Sequence, residues 1–138
     1  MKNKVVWITG ASSGIGEALA YQFDNEGAKL VLSARREKEL QRVKANCKNN
    51  AEDILILPLD LTEHGQMDEK VKRVINKFGR IDILINNGGI SQRALVEDTR
   101  LEVDKQIMNI NYFGTIALTK AVLPYMIRQK SGHFAVMS

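Results

Sequence analysis

The positions of hydrophobic and polar residues divide this chain into two alternating kinds of segment. Five short runs are mostly apolar, as expected of strands that are buried on both faces of a sheet. They lie at residues 5–8, 29–33, 53–57, 81–85 and 133–137. The longer segments between them repeat apolar residues at the spacing of an amphipathic helix. Alternating strands and helices predict one α/β domain over residues 1–138, built on a parallel sheet with helices on both faces.

The helical segments are predicted from their apolar spacing and from the residues that end them. They cover residues 17–27, 36–48, 62–79 and 101–128. Thr62 is expected to cap the third helix, and Gly79 is expected to end it. Pro124 should kink the fourth helix, because proline cannot donate a hydrogen bond within a helix. The single cysteine, Cys47, falls on the apolar stripe of the second helix.

The order of the strands follows from a proline. Pro58 stands at the end of the third strand, and proline fits only an edge strand or a strand end. A doubly wound sheet in the order 3-2-1-4-5 has its third strand at the edge, which agrees. The fifth strand, residues 133–137, would then leave an unpaired apolar edge, a feature that native proteins usually cover. We therefore expect the C-terminal strands of the sheet to be missing from this sequence.

Composition and charge argue against several classes of protein, namely those that bind nucleic acid, span a membrane, contain disulfides or hold a metal. The chain is 44% hydrophobic and 26% charged with a net charge of +4, and its basic residues are interspersed with acids. This distribution argues against a nucleic-acid-binding surface, and no apolar run is long enough to span a membrane. One cysteine excludes an internal disulfide and predicts a reduced, cytoplasmic protein. The sequence has no Cys/His cluster that would predict a metal site.

A glycine-rich turn, residues 9–16 with the sequence Thr-Gly-Ala-Ser-Ser-Gly-Ile-Gly, joins the first strand to the first helix. The unpaired N–H groups and the dipole of a helix N-terminus favour an anion, and glycine lets a pyrophosphate approach the backbone. The turn therefore predicts a cradle for dinucleotide phosphates. It departs from the common Gly-x-Gly-x-x-Gly pattern, because Leu19 stands where the last small residue is expected. A mononucleotide P-loop is excluded, since no Gly-Lys-Ser/Thr follows the turn.

The end of the second strand indicates which dinucleotide is bound. A carboxylate at this position would bind the ribose 2′-hydroxyl of NAD, but residues 33–36 read Ser-Ala-Arg-Arg, without an acid. Arg35 can make bidentate, charge-assisted hydrogen bonds to a 2′-phosphate. NADP is therefore predicted in preference to NAD. Alternatively, the two arginines cap a solvated helix start, which fits Arg36 better than Arg35.

Four short motifs occur in order along the chain. They are residues 9–16, Asp60-Leu61-Thr62, Asn86-Asn87-Gly88-Gly89 and Asn111-Tyr112-Phe113-Gly114. Together they resemble the short-chain dehydrogenase/reductase (SDR) family across the whole length of the sequence. Residues 86–93 are most similar to the branch called dehydrogenase/reductase member 7, in which a glycine, Gly88, replaces the usual alanine. The resemblance implies a Rossmann-type fold and an oxidoreductase.

The resemblance also implies a set of cofactor-binding residues. Those expected at the diphosphate and its ribose are Gly10, Ser12, Ser13, Gly14, Ile15 and Gly16. Those expected along the rest of the cofactor are Asp60 and Leu61 at the adenine, and Asn87, Gly88 and Gly89 beside strand four. Asn86 and Asn87 could instead tie strand four to its neighbour, an interpretation that suits Asn86 better.

Asn111 is the catalytic residue that the resemblance implies within this sequence, as the asparagine that holds a water in the proton relay. A surface or core asparagine is the alternative interpretation. Family members often end strand five with Ser-Ser, of which the second is catalytic, so Ser138 is expected to line the cofactor. The catalytic serine and a Tyr-x-x-x-Lys motif are then expected beyond Ser138. The chain alone is therefore expected to be inactive.

These features lead to two functional hypotheses. The first is an NADP-dependent oxidoreductase that transfers hydride between nicotinamide and a carbonyl or secondary alcohol of a small-molecule substrate. The second is a dinucleotide-binding sensor or scaffold without catalysis. The resemblance also implies a homo-oligomeric full-length protein, with the long helix after Asn111 at its interface. No nucleic-acid, membrane or metal partner is expected.

Overall fold

The structure is a computed structural model that describes residues 1–88, 101–102, 105 and 109–137. Its strands are β1 (Val5–Thr9), β2 (Lys29–Ser33), β3 (Ile54–Ile56), β4 (Ile83–Asn86) and β5 (His133–Val136). They form a parallel sheet in the order β3-β2-β1-β4-β5. This confirms the predicted doubly wound, Rossmann-type sheet, with the strand that precedes Pro58 at its edge. Every strand lies within two residues of its predicted limits.

Helices cover both faces of the sheet. They are α1 (Gly14–Asn25), α2 (Glu37–Ala45), α3 (Met67–Phe78) and α4 (Thr115–Gln129). Short 3-10 helices lie at Ala51–Asp53 and His64–Gln66, and a π-helical turn, Asn109–Gly114, leads into α4. Gly27 and Gly79, which follow the ends of α1 and α3, adopt the left-handed conformation with φ angles of 82° and 79°. Both helices therefore end at glycines, as predicted.

Some details of the helices differ from the prediction. Thr62 does not cap a helix, because the residue directly before the 3-10 helix at His64 is Glu63 and the one before α3 is Gln66. Its N–H and hydroxyl groups donate instead to Asp60 Oδ1 at 2.9 and 2.7 Å. α3 begins only at Met67. Cys47 lies beyond the end of α2, where burial raises the pKa of its thiol to about 11. By contrast, Pro124 lies inside α4 as predicted, and the kink expected there stays a prediction.

β1 lies at the centre of the sheet and separates two layers of the core. All of its residues are buried. Val5 and Trp7 face the layer that packs against α3 and α4, whereas Val6 and Ile8 face the layer with α1 and α2. The strand order changes direction between β1 and β4, and doubly wound sheets bind ligands beyond the carboxyl ends of the strands at this point. A ligand-binding site is therefore expected at the carboxyl ends of β1, β2 and β4.

β5 forms the other edge of the described sheet. It pairs with β4 along its length, and all of its residues are exposed, with Val136 67% exposed. Leu123 and Ile127 on α4 are also exposed apolar side chains. In the described part of the chain, this edge is therefore apolar, as predicted. Within the same ranges, no helix is both long and apolar enough to cross a membrane.

Candidate functional site

A groove of about 400 Å³ opens at the carboxyl ends of the strands. Its walls are formed by Thr9, Gly10, Ser12, Ser13, Ser33, Ala34, Arg35, Arg36, Glu39, Leu59, Asp60, Leu61, Asn87 and Gly88. The groove therefore brings together most of the residues that were predicted to bind a cofactor. Gly14, Ile15 and Gly16 lie beside it at the start of α1. Gly89 and Ser138 lie outside the described residues.

The three glycines of the β1–α1 turn are each required for a different structural reason. Gly10 and Gly14 have positive φ angles of 62° and 56°, which other residues rarely adopt. A Cβ at Gly10 would lie 2.7 Å from the backbone oxygen of Asn87, and one at Gly16 would overlap the backbone oxygen of Gly10. By contrast, a Cβ at Gly14 would meet no atom of the described residues within 4 Å. Space therefore remains at the N-terminus of α1, where a phosphate can approach backbone N–H groups.

The Thr9 hydroxyl joins the two strand ends that border the groove. It accepts hydrogen bonds from the backbone N–H groups of Asn87 at 2.9 Å and Gly88 at 2.8 Å. It also donates to the backbone oxygen of Ile85 at 3.4 Å. The Asn87 side chain adds a bond from Nδ2 to the backbone oxygen of Gly10 at 3.3 Å. The ends of β1 and β4 are thus held together from both sides.

Asn86, the last residue of β4, makes a different contact. Its side chain is buried, and its Nδ2 lies 3.4 Å from Thr119 Oγ1 on α4. It therefore links the sheet to a helix rather than to the neighbouring strand. The tie between strands is made by Asn87, although the sequence favoured Asn86 for this role.

Replacing Thr9 with valine should lower the free energy of unfolding by about 2–4 kcal/mol. Valine keeps the branched shape of the side chain, but two N–H groups at the end of β4 lose their acceptor. Urea unfolding of the Thr9→Val and Thr9→Ser proteins measures the effect, since serine retains the hydroxyl. A valine variant as stable as the serine variant would show that these hydrogen bonds contribute nothing to stability.

The π-helical turn that contains Asn111 packs against the groove wall. A Cβ at Gly114, the last residue of this turn, would lie 2.6 Å from the backbone oxygen of Leu61. Leu61 lines the groove, so the turn lies directly behind one of its walls. Single π-helical turns are frequent at functional sites. The Asn111 side chain lies outside the described part of the structure, and its place in a proton relay stays a prediction.

Positive charge borders the groove at the end of β2. Arg35 and Arg36 are exposed, and Arg36 stands directly before α2 without a side-chain hydrogen bond that caps the helix. Asp60, on the β3 side, accepts from the hydroxyl and N–H groups of Thr62, and these bonds lower its pKa. The charge of Arg35 lowers the same pKa further. The groove wall therefore carries two cations, Arg35 and Arg36, and two acidic residues, Asp60, which is engaged by Thr62, and Glu39.

Two charged residues connected with the groove, Glu39 and Arg42, were missed in the sequence, as was Leu59 on its wall. Glu39 lines the groove from the first turn of α2, three residues after Arg36, a spacing that places both on one side of a helix. Its carboxylate accepts a hydrogen bond from Arg42 Nε at 3.3 Å. The helical spacing could have revealed Glu39. Arg42 also contacts Glu17, 25 residues away in the sequence, and no local pattern could have revealed that pair.

The family model described as "short chain dehydrogenase" matches residues 4–138. The chain belongs to the short chain dehydrogenase family. A solved short chain dehydrogenase from Bacillus anthracis is similar with a TM-score of 0.91 at 32% identity, over 97% of this chain and 56% of that one. The 3-ketoacyl-(acyl-carrier-protein) reductase from Brucella melitensis, complexed with NADH, has a TM-score of 0.84 at 31% identity, over 93% of this chain and 52% of that one.

A curated relative supports the predicted branch of the short chain dehydrogenase family. The human "Dehydrogenase/reductase SDR family member 7" is 54% identical over 142 residues, an alignment that covers 100% of this chain. It covers 42% of the human protein, so the chain spans about two fifths of the length of this relative. The resemblance inferred from the four motifs is therefore confirmed, both for the short chain dehydrogenase family and for its branch.

Proposed function

We propose that this protein is an NADP-dependent oxidoreductase that moves a hydride between nicotinamide and a carbonyl or secondary alcohol of a small molecule. One observation carries the choice of cofactor: the groove combines the glycine turn with Arg35 and Arg36. Membership of the short chain dehydrogenase family favours an oxidoreductase over a sensor or scaffold that binds a dinucleotide without catalysis. A cytoplasmic location and assembly into a homo-oligomer belong to the same proposal.

The groove residues fit the separate parts of NADP. The open space beside Gly14 at the N-terminus of α1 suits a diphosphate. The exposed guanidinium of Arg35 suits the 2′-phosphate, while Asp60 and Leu61 would flank the adenine. NADP supplies or accepts the hydride when bound. The residues of this chain orient the cofactor and balance its negative charge.

Reduction of a carbonyl also requires a proton for the developing alkoxide. Asn111 is proposed to hold a water in the relay that delivers this proton, from the π-helical turn behind the groove wall. Proton transfer by positioned groups contributes about 10²- to 10⁴-fold to enzymatic rates. Loss of the relay water should therefore reduce turnover and leave cofactor binding nearly intact.

The test is reduction of a panel of ketones and aldehydes by the full-length polypeptide, followed through the loss of NADPH absorbance. We expect Asn111→Ala to lower kcat by about 100-fold, and Asn109→Ala, two residues away in the same turn, to change it less than about threefold. NADPH binding without turnover of any carbonyl would favour the sensor hypothesis. A protein that binds no dinucleotide would contradict both hypotheses.

A further inference from the structure

Arg42 connects the surface of α2 to the glycine turn. Its Nη1 and Nη2 atoms donate to Glu17 Oε2 and Oε1, each at 3.0 Å, in the bidentate arrangement that strengthens arginine–carboxylate pairs. The same Nη2 donates to the backbone oxygen of Ser12 at 3.0 Å. Ser12 lines the groove, so Arg42 reaches the site through a backbone group although it is not part of the wall.

Neighbouring side chains keep Arg42 in this position. The Tyr21 hydroxyl donates to Glu17 Oε2 at 2.7 Å. Hydrogen bonds from Arg42 and Tyr21 lower the pKa of Glu17 to about 2, so its carboxylate is charged at neutral pH. The Glu17 side chain is only 20% exposed, whereas the contact of Arg42 with Glu39 is longer, at 3.3 Å, and exposed on both sides. The contacts with Glu17 and Ser12 therefore fix the guanidinium.

Other contacts hold the residues on either side of Ser12: the Ala11 N–H group donates to the backbone oxygen of Ser33 at 3.1 Å, and the Ser13 carbonyl accepts from the Glu17 N–H group at 3.3 Å. Within the described residues, the Ser12 carbonyl itself is held by Arg42. Ser12 lies between Gly10 and Gly14, which both have positive φ, and Ser13 makes no side-chain bond to the first turn of α1. In a trans peptide the C=O group and the following N–H group point in opposite directions. The bond from Arg42 to the Ser12 carbonyl therefore also sets the direction of the Ser13 N–H.

We infer that Arg42 is a positioning residue for the diphosphate-binding turn, which it orders through the Ser12 carbonyl before the cofactor binds. The inference rests on the proposed function, because that function assigns the turn to a dinucleotide. Without the guanidinium the cofactor itself must order the turn, and fixing the backbone of one residue is worth about tenfold in a binding constant. NADPH and NADH share the diphosphate, so both lose affinity to the same extent.

The experiment compares Arg42→Ala and Arg42→Lys with wild-type full-length polypeptide in titrations with NADPH and NADH, well below the unfolding temperature. We expect R42A to raise both Kd values about tenfold and to leave their ratio unchanged. R42K should recover only part of the loss, because an ammonium group cannot make the bidentate pair. Lys38→Ala is the matched control, since it removes a positive charge from the exposed face of α2 and should change either Kd less than about twofold.

A second probe separates the turn from the rest of the groove. Adenosine 2′-monophosphate carries the 2′-phosphate but no diphosphate, so R42A should leave its competition with NADPH unchanged. Unaltered Kd values for both dinucleotides in R42A would overturn the role of Arg42 and leave the proposed function intact. If R42A lost affinity for adenosine 2′-monophosphate as strongly as for NADPH, the role of Arg42 at the diphosphate would also be overturned and the proposed function would stand. A wild-type protein that binds neither dinucleotide would overturn both proposals.

Discussion

Replacing Arg35 with alanine is expected to raise the Kd of NADPH by about 10- to 100-fold and that of NADH by less than about threefold. The Arg35 side chain is exposed on the groove wall at the end of β2, where a 2′-phosphate would be held. A hydrogen bond to a charged group contributes about 1.5–3 kcal/mol, which sets the size of the loss. NADH lacks the 2′-phosphate and keeps the contacts of the glycine turn, so its affinity should change little.

Equilibrium titration of Arg35→Ala with both dinucleotides measures this difference. Arg73→Ala is a suitable control, because Arg73 is an exposed arginine on α3 that does not line the groove. It removes the same charge from the protein and should change neither Kd appreciably. If R35A lost the same affinity for NADPH and NADH, Arg35 would not select NADP over NADH. Its contact would then be with a group that both dinucleotides contain.

One added methyl group at Gly16 is expected to have the largest effect on stability. Gly16→Ala should lower the free energy of unfolding by about 3 kcal/mol or more. Its Cβ would overlap the backbone oxygen of Gly10 and lie 2.7 Å from Asn87 Nδ2. The Gly10 oxygen and Asn87 Nδ2 are hydrogen-bonded to each other, so neither can move away from the added methyl group independently. α1 would have to shift away from the end of β1, and the groove would lose its shape.

Gly65 offers the matched control for this substitution. A Cβ there meets no described atom within 4 Å, and Gly65 has no positive φ that alanine would strain. Gly65→Ala should therefore change stability by less than about 0.5 kcal/mol. Urea unfolding can be followed through Trp7, the single tryptophan of this sequence, which is fully buried on β1. Equal stabilities of G16A and G65A would mean that the turn relaxes around the added methyl group.

Most of the fold and much of the groove could be predicted because their signals are local in the sequence. Short apolar runs mark the buried strands, and one proline, Pro58, was enough to choose the edge strand. The start of the glycine turn, Arg35 and Asp60 each lie within four residues of the end of a strand. The carboxyl ends of parallel strands meet at one side of the sheet, so these residues had to come together.

The features that could not be predicted depend on competition or on distance along the chain. Thr62 is a suitable helix cap by residue type, but it forms a local turn with Asp60, whose carboxylate accepts from its N–H and hydroxyl groups, and α3 begins only at Met67. Arg42 meets Glu17 across 25 residues, on a different helix. The tie made by Asn87 depends on the exact end of β4, because a shift of one residue turns a side chain to the other face.

The central position of β1 affects how the polypeptide folds as it is synthesised. β1 leaves the ribosome before the other described strands, yet its junction with the start of β4 joins residues 77 apart, as between Val5 and Asp82. At translation rates of about 5–20 residues per second, β1 waits several seconds for this partner. Pairing between distant segments is also slow, because a long loop must close first. One edge of this apolar strand is thus open for those seconds, when a chaperone or a neighbouring nascent chain can bind it.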